Sequence, residues 1–494
     1  MKKVVTRRLL PLVLLLLFTI NLPLMATAEE PFRITMYNSL MYTEPQSTDG
    51  PILSKIQEYT NTKLDITWSP GGAVYQEKLT TMIASGDLPM VVMAWENRSE
   101  AVVSAVRAGM FWDLTPYLDQ FPNLARLNPM LYDNTNIDGK YFCLPRSRVL
   151  VEDGMVYRKD WLDKLGLEEP KTLDEFIALV RAFTTDDPDG NGVADTHGFV
   201  EYNDLRGFDL LLGWFGTANG WAEQDGKLIP SLFTKEYLDT LNFMRDMYAE
   251  GVLNQDFAIV NRNQRDEYMM QSKAGMYLAG IDQVMRLADL PKVDPAAVVD
   301  IWQRVESPIG MRQYSYKGFN GCFFFSKSGI KTEEELLRVL DFFDKVNDVE
   351  IQNLVAWGIE GRHYHLDENG LPARTEEENV RYGNEVFEIT DEFLIHLPTD
   401  AIQVDDGTMQ NKWRKMANDN AGLAVANPGL KYLSLSYLEN SGTLDTIYKD
   451  ARVQYILGQI DEDGWKEALE DWLYEGGQEY IDEINEQYLA DPDR

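Results

Sequence analysis

The tightest constraint on the fold lies between Phe32 and Ala94. Phe32-Arg33-Ile34-Thr35-Met36 alternates like a strand, Pro51 to Tyr59 reads as a helix, and Leu64 to Trp68 alternates again. Tyr75 to Ala84 reads as a second helix that stops at Gly86, and Met90 to Ala94 is a short, unbroken apolar run. A run without polar alternation is the pattern of a strand covered on both faces, as in a parallel sheet. Strands alternating with helices in this way predict an α/β architecture.

Two later helix starts carry their own mechanism. Thr172 with Glu175, and Thr332 with Glu335, have capping-box spacing, in which each side chain satisfies a backbone donor of the other. Apolar residues at helical spacing follow both, and the C-terminal third reads as mostly helical, with acidic outer faces from Asp461 to Gln487. A chain of 494 residues exceeds one ordinary core, so two or more lobes are expected. There is no repeat and no low-complexity linker, which predicts short crossings between lobes rather than a tether.

Lys2, Lys3, Arg7 and Arg8, the apolar Leu9 to Met25 and the small Ala26-Thr27-Ala28 have the order of an export signal over residues 1–28. No Cys stands near that cleavage site, so lipid attachment through one is not expected, and the chain is read as extracytoplasmic. The formal net charge of −34 repels nucleic acid and anionic membrane surfaces. It does not choose a ligand, because an acidic body can hold local Arg. Cys143 and Cys322 are too few for a disulfide scaffold.

Asp187-Pro188-Asp189-Gly190-Asn191-Gly192-Val193-Ala194-Asp195 is the sharpest chemical motif. Asp187, Asp189, Asn191 and Asp195 supply oxygens in the order of an EF-hand-like calcium loop, and Val193 a backbone carbonyl. Gly198 stands where a full EF-hand has Glu, so the closing carboxylate must come from Asp195 or elsewhere, with Glu201 as a candidate. His363 and His365 read as a surface pair, and Ser328-Gly329-Ile330-Lys331 as a polar turn. No G-x-S-x-G, H-E-x-x-H or phosphate-binding Gly loop occurs; a glycosidase or lyase remains the alternative, because paired carboxylates are defined in space and not by spacing. Sugars rest their C–H faces on Trp or Tyr and hydrogen-bond to planar polar groups. Trp68, Trp161 and Trp472 sit where core is expected; aromatics beyond strand ends or in Gly-rich loops are better ligand platforms.

Several segments in order resemble extracellular solute-binding proteins of family 1, in the branch of the alginate-binding periplasmic proteins. Ile83-Ala84-Ser85-Gly86-Asp87-Leu88-Pro89, Asp138 to Arg146, Tyr157-Arg158-Lys159-Asp160-Trp161-Leu162 and Trp357-Gly358-Ile359-Glu360-Gly361-Arg362-His363-Tyr364 carry the likeness. It implies a two-lobed periplasmic-binding-protein fold with inter-lobe crossings and a ligand cleft between the lobes. The implied function is capture of an oligosaccharide by a monomer that serves ABC transporter permease subunits. In those relatives an acid also follows the last Asp of the calcium loop, where this chain has Thr196.

On this basis lobe one is expected over 29–145 and 319–364, and lobe two over 146–318 and 365–494. Crossings are expected near Leu144 to Arg148, Arg312 to Gly318 and Arg362 to Asp367. Ligand contacts are expected from Trp95, Glu96, Trp357 and Arg362 of lobe one, Arg146 and Tyr316 at crossings, and Trp214 and Trp221 of lobe two. The resemblance also puts the strands bearing Cys143 and Cys322 side by side, where either a bridge or two buried thiols would fit.

Overall fold

The computed structural model describes residues 30–40, 49–387, 393, 395, 400–404, 407–492 and 494. The export signal read over residues 1–28 lies outside them.

The alternation from Phe32 onward folds as read. Phe32–Leu40, Thr62–Pro70 and Val91–Ala94 are strands, with helices Pro51–Thr60 and Ala73–Ser85 between them. The first strand pairs in parallel with both others, and all of Val91–Ala94 is buried. Gly86 ends the second helix in the left-handed region at φ 72°, a conformation that a residue without Cβ adopts freely.

The sheet is completed from far along the chain. Its order is Thr62–Pro70, Phe32–Leu40, Val91–Ala94, Phe319–Phe325, Cys143–Ser147. Phe319–Phe325 runs antiparallel to both neighbours, so Cys143–Ser147 points the same way as the first three. The carboxyl ends of those strands therefore share one edge. Beyond Ser147 the chain passes to a second sheet, where Asp153–Arg158 lies between Met276–Gly280 and Val299–Trp302, antiparallel to both.

Each sheet has its own core. One gathers residues from Ile34 to Val151 and from Phe319 to Ile395; the other, residues from Met155 to Val305 with Ala451 to Leu469. Both capping boxes read from the sequence are formed, at Thr172 and Thr332, and each is worth about 1 kcal/mol. Between the lobes, Gln313–Tyr314 pairs in parallel with Ala424–Val425.

One expectation is corrected here. The change of lobe expected at 364/365 lies further on: Val386, Phe393 and Ile395 belong to the first core. The Phe393 ring meets Phe342 edge-on at 5.7 Å, and the Ile395 N–H donates to Asn347 Oδ1 at 3.1 Å. Among the described residues, the chain next packs on the second lobe with Met409, Trp413 and Met416, so the crossing follows Ile402 and not Arg362. Leu150 and Val151 likewise extend the first lobe beyond Pro145.

Of the two alternatives left open for the cysteines, the structure has both as buried, free thiols. The register pairs Cys322 with Pro145 and Cys143 with Phe324, so they are diagonal neighbours. Burial, and then the Cys143 thiol, push the Cys322 thiol up, away from reactivity.

Candidate functional site

A cavity of about 430 Å³ opens against the second lobe and is walled by rings from several segments. Trp221 comes from the strand Trp221–Gln224, directly after Gly220, whose φ of 67° turns the chain into it. Tyr437, Asp445, Tyr448 and Arg452 come from one face of the helix Leu435–Ile456. Tyr480 comes from the helix Gln478–Ala490, and Arg206 and Asp209 from the helix Arg206–Trp214. Such a lining sets broad ring faces beside charged and amide groups, which together can orient a ligand in a concave site.

The polar groups of this wall are arranged in pairs. Arg206 Nη2 donates to Asp153 Oδ1 at 2.9 Å and Glu152 Oε1 at 3.3 Å, and its guanidinium lies 4.4 Å over the Tyr316 ring. The Tyr316 hydroxyl donates to Asp153 Oδ2. Burial outweighs Arg206 and pushes Asp153 up to about 6. Burial, with the charges of Asp153 and Asp282, pushes Glu152 up to about 7. Arg452 pairs with Asp209 at 2.9 Å, and the Tyr437 hydroxyl donates to Asp445 at 3.2 Å.

On the first lobe the shared strand edge carries the complementary feature. Ser39 ends one strand, Trp95 to Ser99 follow the next, and Arg146 and Ser147 end the Cys143–Ser147 strand. Among the described residues, Ser39 Oγ, Asn97 Nδ2, Ser99 Oγ and Ser147 Oγ are buried there without a hydrogen-bond partner. Buried polar groups are ordinarily paired, so a cluster of open ones marks where a polar ligand or water supplies the partner. This is also the edge at which open α/β sheets bind ligands.

The sequence-derived site residues divide. Trp221 and Tyr316 line the cavity. Trp95 and Arg146 meet at the strand edge, with the buried guanidinium 5.3 Å over the indole, and Glu96 is exposed beside them. Trp214 is a correction: it is fully buried in the second core, edge-on to Phe176 at 5.1 Å, because it faces inward on its helix. Trp357 and Arg362 are corrections too. The Trp357 indole donates to Ile402 O at 2.9 Å under Arg374, and Arg362 pairs with Glu385 at 2.7 Å on the first lobe. His363 is buried rather than at the surface: Nδ1 accepts from the Ile359 N–H and Nε2 meets Glu385 at 3.0 Å. Trp472 is buried as expected but also lines the cavity.

Sequence reading missed Tyr437, Tyr448, Arg452, Tyr480, Arg206 and Asp153. A signal was present, since 437, 445, 448 and 452 recur at helical spacing and place two Tyr, an Asp and an Arg on one stripe.

The Asp187 to Asp195 loop is held in shape by its own hydrogen bonds. Asn191 Nδ2 donates to Asp189 Oδ2 at 2.7 Å and Asp195 Oδ1 at 3.1 Å, while Asp187 accepts from the N–H groups of Gly190 and Gly192. Val193 is exposed, with its N–H on Asn191 Oδ1. No group of three metal-ligating side chains is already drawn together among the described residues. Glu201 does not close the loop: it is buried and accepts from the Tyr202 and Phe208 N–H groups.

The family model for bacterial extracellular solute-binding proteins matches residues 43–302. The polygalacturonan/rhamnogalacturonan-binding protein YtcQ of Bacillus subtilis is 34% identical over 453 residues, spanning 91% of this chain and 90% of its own. Lipoprotein LipO of Bacillus subtilis is 34% identical over 466 residues, 91% of each chain. The crystal structure of alginate-binding protein AlgQ2 without calcium ion shares the fold with a TM-score of 0.64 at 17% identity, covering 93% of this chain and 98% of that one.

Proposed function

The chain belongs to the bacterial extracellular solute-binding proteins, and from that membership we propose that it captures an oligosaccharide between its lobes and delivers it to the permease subunits of an ABC importer. The observation that carries this reading is a pair of surfaces, one on each lobe. The second lobe has a ring-lined cavity, and the first has a strand edge that holds open buried polar groups. Ring faces suit the C–H faces of a sugar, and open donors suit its hydroxyls. A ligand touching both surfaces favours the arrangement in which the lobes meet, since only there are both sets of contacts made. YtcQ is a polygalacturonan/rhamnogalacturonan-binding protein, which supports a carbohydrate here as well.

The loop of Asp187, Asp189, Asn191, Val193 and Asp195 would hold Ca²⁺ through three carboxylates, a carboxamide and the Val193 carbonyl. When bound, the ion would neutralise carboxylates that Asn191 already bridges, pinning a loop of the second lobe.

The test is a glycan panel applied to the purified mature protein by thermal shift and calorimetry. Saturable binding with the sugar recovered intact is expected. Cleavage products would favour the glycosidase or lyase reading, and a panel without a single stabilising glycan would count against carbohydrate capture.

A further inference from the structure

The loop after the Val91–Ala94 strand holds an arginine that reaches the other lobe. Arg98 Nη1 donates to Leu430 O, and Nη2 to Lys431 O at 3.3 Å and to Asn136 O of its own lobe at 2.6 Å. Its hydrogen-bond partners among the described residues are all main-chain carbonyls, and its Nε is buried without a partner. Burial pulls its pKa down to about 10, so the group stays charged at neutral pH. A guanidinium taken from water for carbonyls alone gains little net stability, because water would serve it nearly as well. Its consequence lies in which arrangement of the lobes it favours. The Leu430 and Lys431 carbonyls lie on the far side of the crossing from Arg98, so in this arrangement the contact bridges the lobes.

The turn that Arg98 holds is also part of the cavity wall. Asn427 lines the cavity, its Oδ1 accepts from the Gly429 N–H at 3.0 Å, and its carbonyl accepts from the Leu430 N–H at 3.1 Å. Gly429 lies against the Trp221 indole so closely that a Cβ there would stand 2.3 Å from Cδ1. Trp221 on one side and Arg98 on the other therefore fix the same turn.

We propose that Arg98 is the closure latch: a ligand settled against Trp221 holds the 427–432 turn where its carbonyls engage Arg98, coupling occupancy to lobe closure. This rests on the capture reading above. Arg98 is a positioning residue, since it does not line the cavity.

The experiment compares the parent with Arg98→Ala and Arg98→Lys, using a sugar from the panel. Removing a hydrogen bond to a charged group is expected to weaken binding by about tenfold, and mostly through faster dissociation. Arg98→Lys, a point charge without the fork, is expected to recover part of the loss. The ligand-free melting temperature should stay where it is, and small-angle scattering of the loaded Arg98→Ala protein should show a more expanded particle. An unchanged dissociation rate overturns the latch. So does a ligand-free destabilisation that matches the affinity loss, which would make Arg98 a structural tie. If the parent binds no glycan, the capture reading fails and the latch falls with it, whereas a parent that binds beside an Arg98→Ala protein with the same dissociation rate overturns the latch alone.

Discussion

Tyr437 and Tyr480 stack with ring centroids 4.4 Å apart and 23° between their planes, and Trp221 meets Tyr480 edge-on at 5.0 Å. Three segments distant in sequence thus build one aromatic wall of the cavity. Tyr437→Ala should lower sugar affinity about tenfold, while Tyr437→Phe, which keeps the ring and loses only the bond to Asp445, should bind nearly as the parent does. Calorimetry with the panel sugar decides. A Tyr437→Ala protein of parental affinity would remove this wall from the site.

The buried tryptophans make an opposite prediction. Trp214→Ala leaves a cavity in the second core and should cost about 3–5 kcal/mol in denaturant unfolding. Trp357→Ala loses the Arg374 contact and the bond to Ile402 O, worth about 1–2 kcal/mol, and should leave sugar affinity unchanged. Reduced affinity in a stably folded Trp357→Ala protein would return that residue to the site.

Stability should fall as pH rises through the neutral range. Burial pushes Glu201 up to about 8, against the N–H groups of Tyr202 and Phe208 that favour its charged form. The folded protein therefore keeps this proton at pH values where the unfolded chain, near the ordinary carboxylate pKa, has released it. The contribution is fully present below about pH 4.5 and is lost progressively up to about pH 8. Melting temperatures measured from pH 5 to pH 9 should decline, and Glu201→Gln should flatten that slope. An equal slope in the variant would assign it to other groups, with Glu152 next.

Calcium removal should lower the melting temperature. An ion that binds only the folded state, present at a hundredfold excess over its dissociation constant, stabilises by about 2.7 kcal/mol. Differential scanning with and without chelator should show the loss, and Asp189→Ala should abolish the difference. A chelator-treated protein that melts like the untreated one, with no bound metal by elemental analysis, would make the loop an ordinary Asp/Gly turn.

Much of the fold was legible in local pattern. The unbroken Met90 to Ala94 run meant a strand covered on both faces, and the Thr172 and Thr332 capping boxes marked helix starts, because these features depend on residues close in sequence. Tertiary structure alone decided what depends on distant partners. It placed Phe319–Phe325 between two earlier strands, and its register set Cys143 and Cys322 diagonally. It turned Trp214 into the core and brought Tyr437, Tyr480 and Trp221 to one cavity, although residue type distinguishes none of these rings. The physical reason is that a side chain's chemistry is fixed by its own atoms, whereas its burial and its partners are fixed by where the rest of the chain packs.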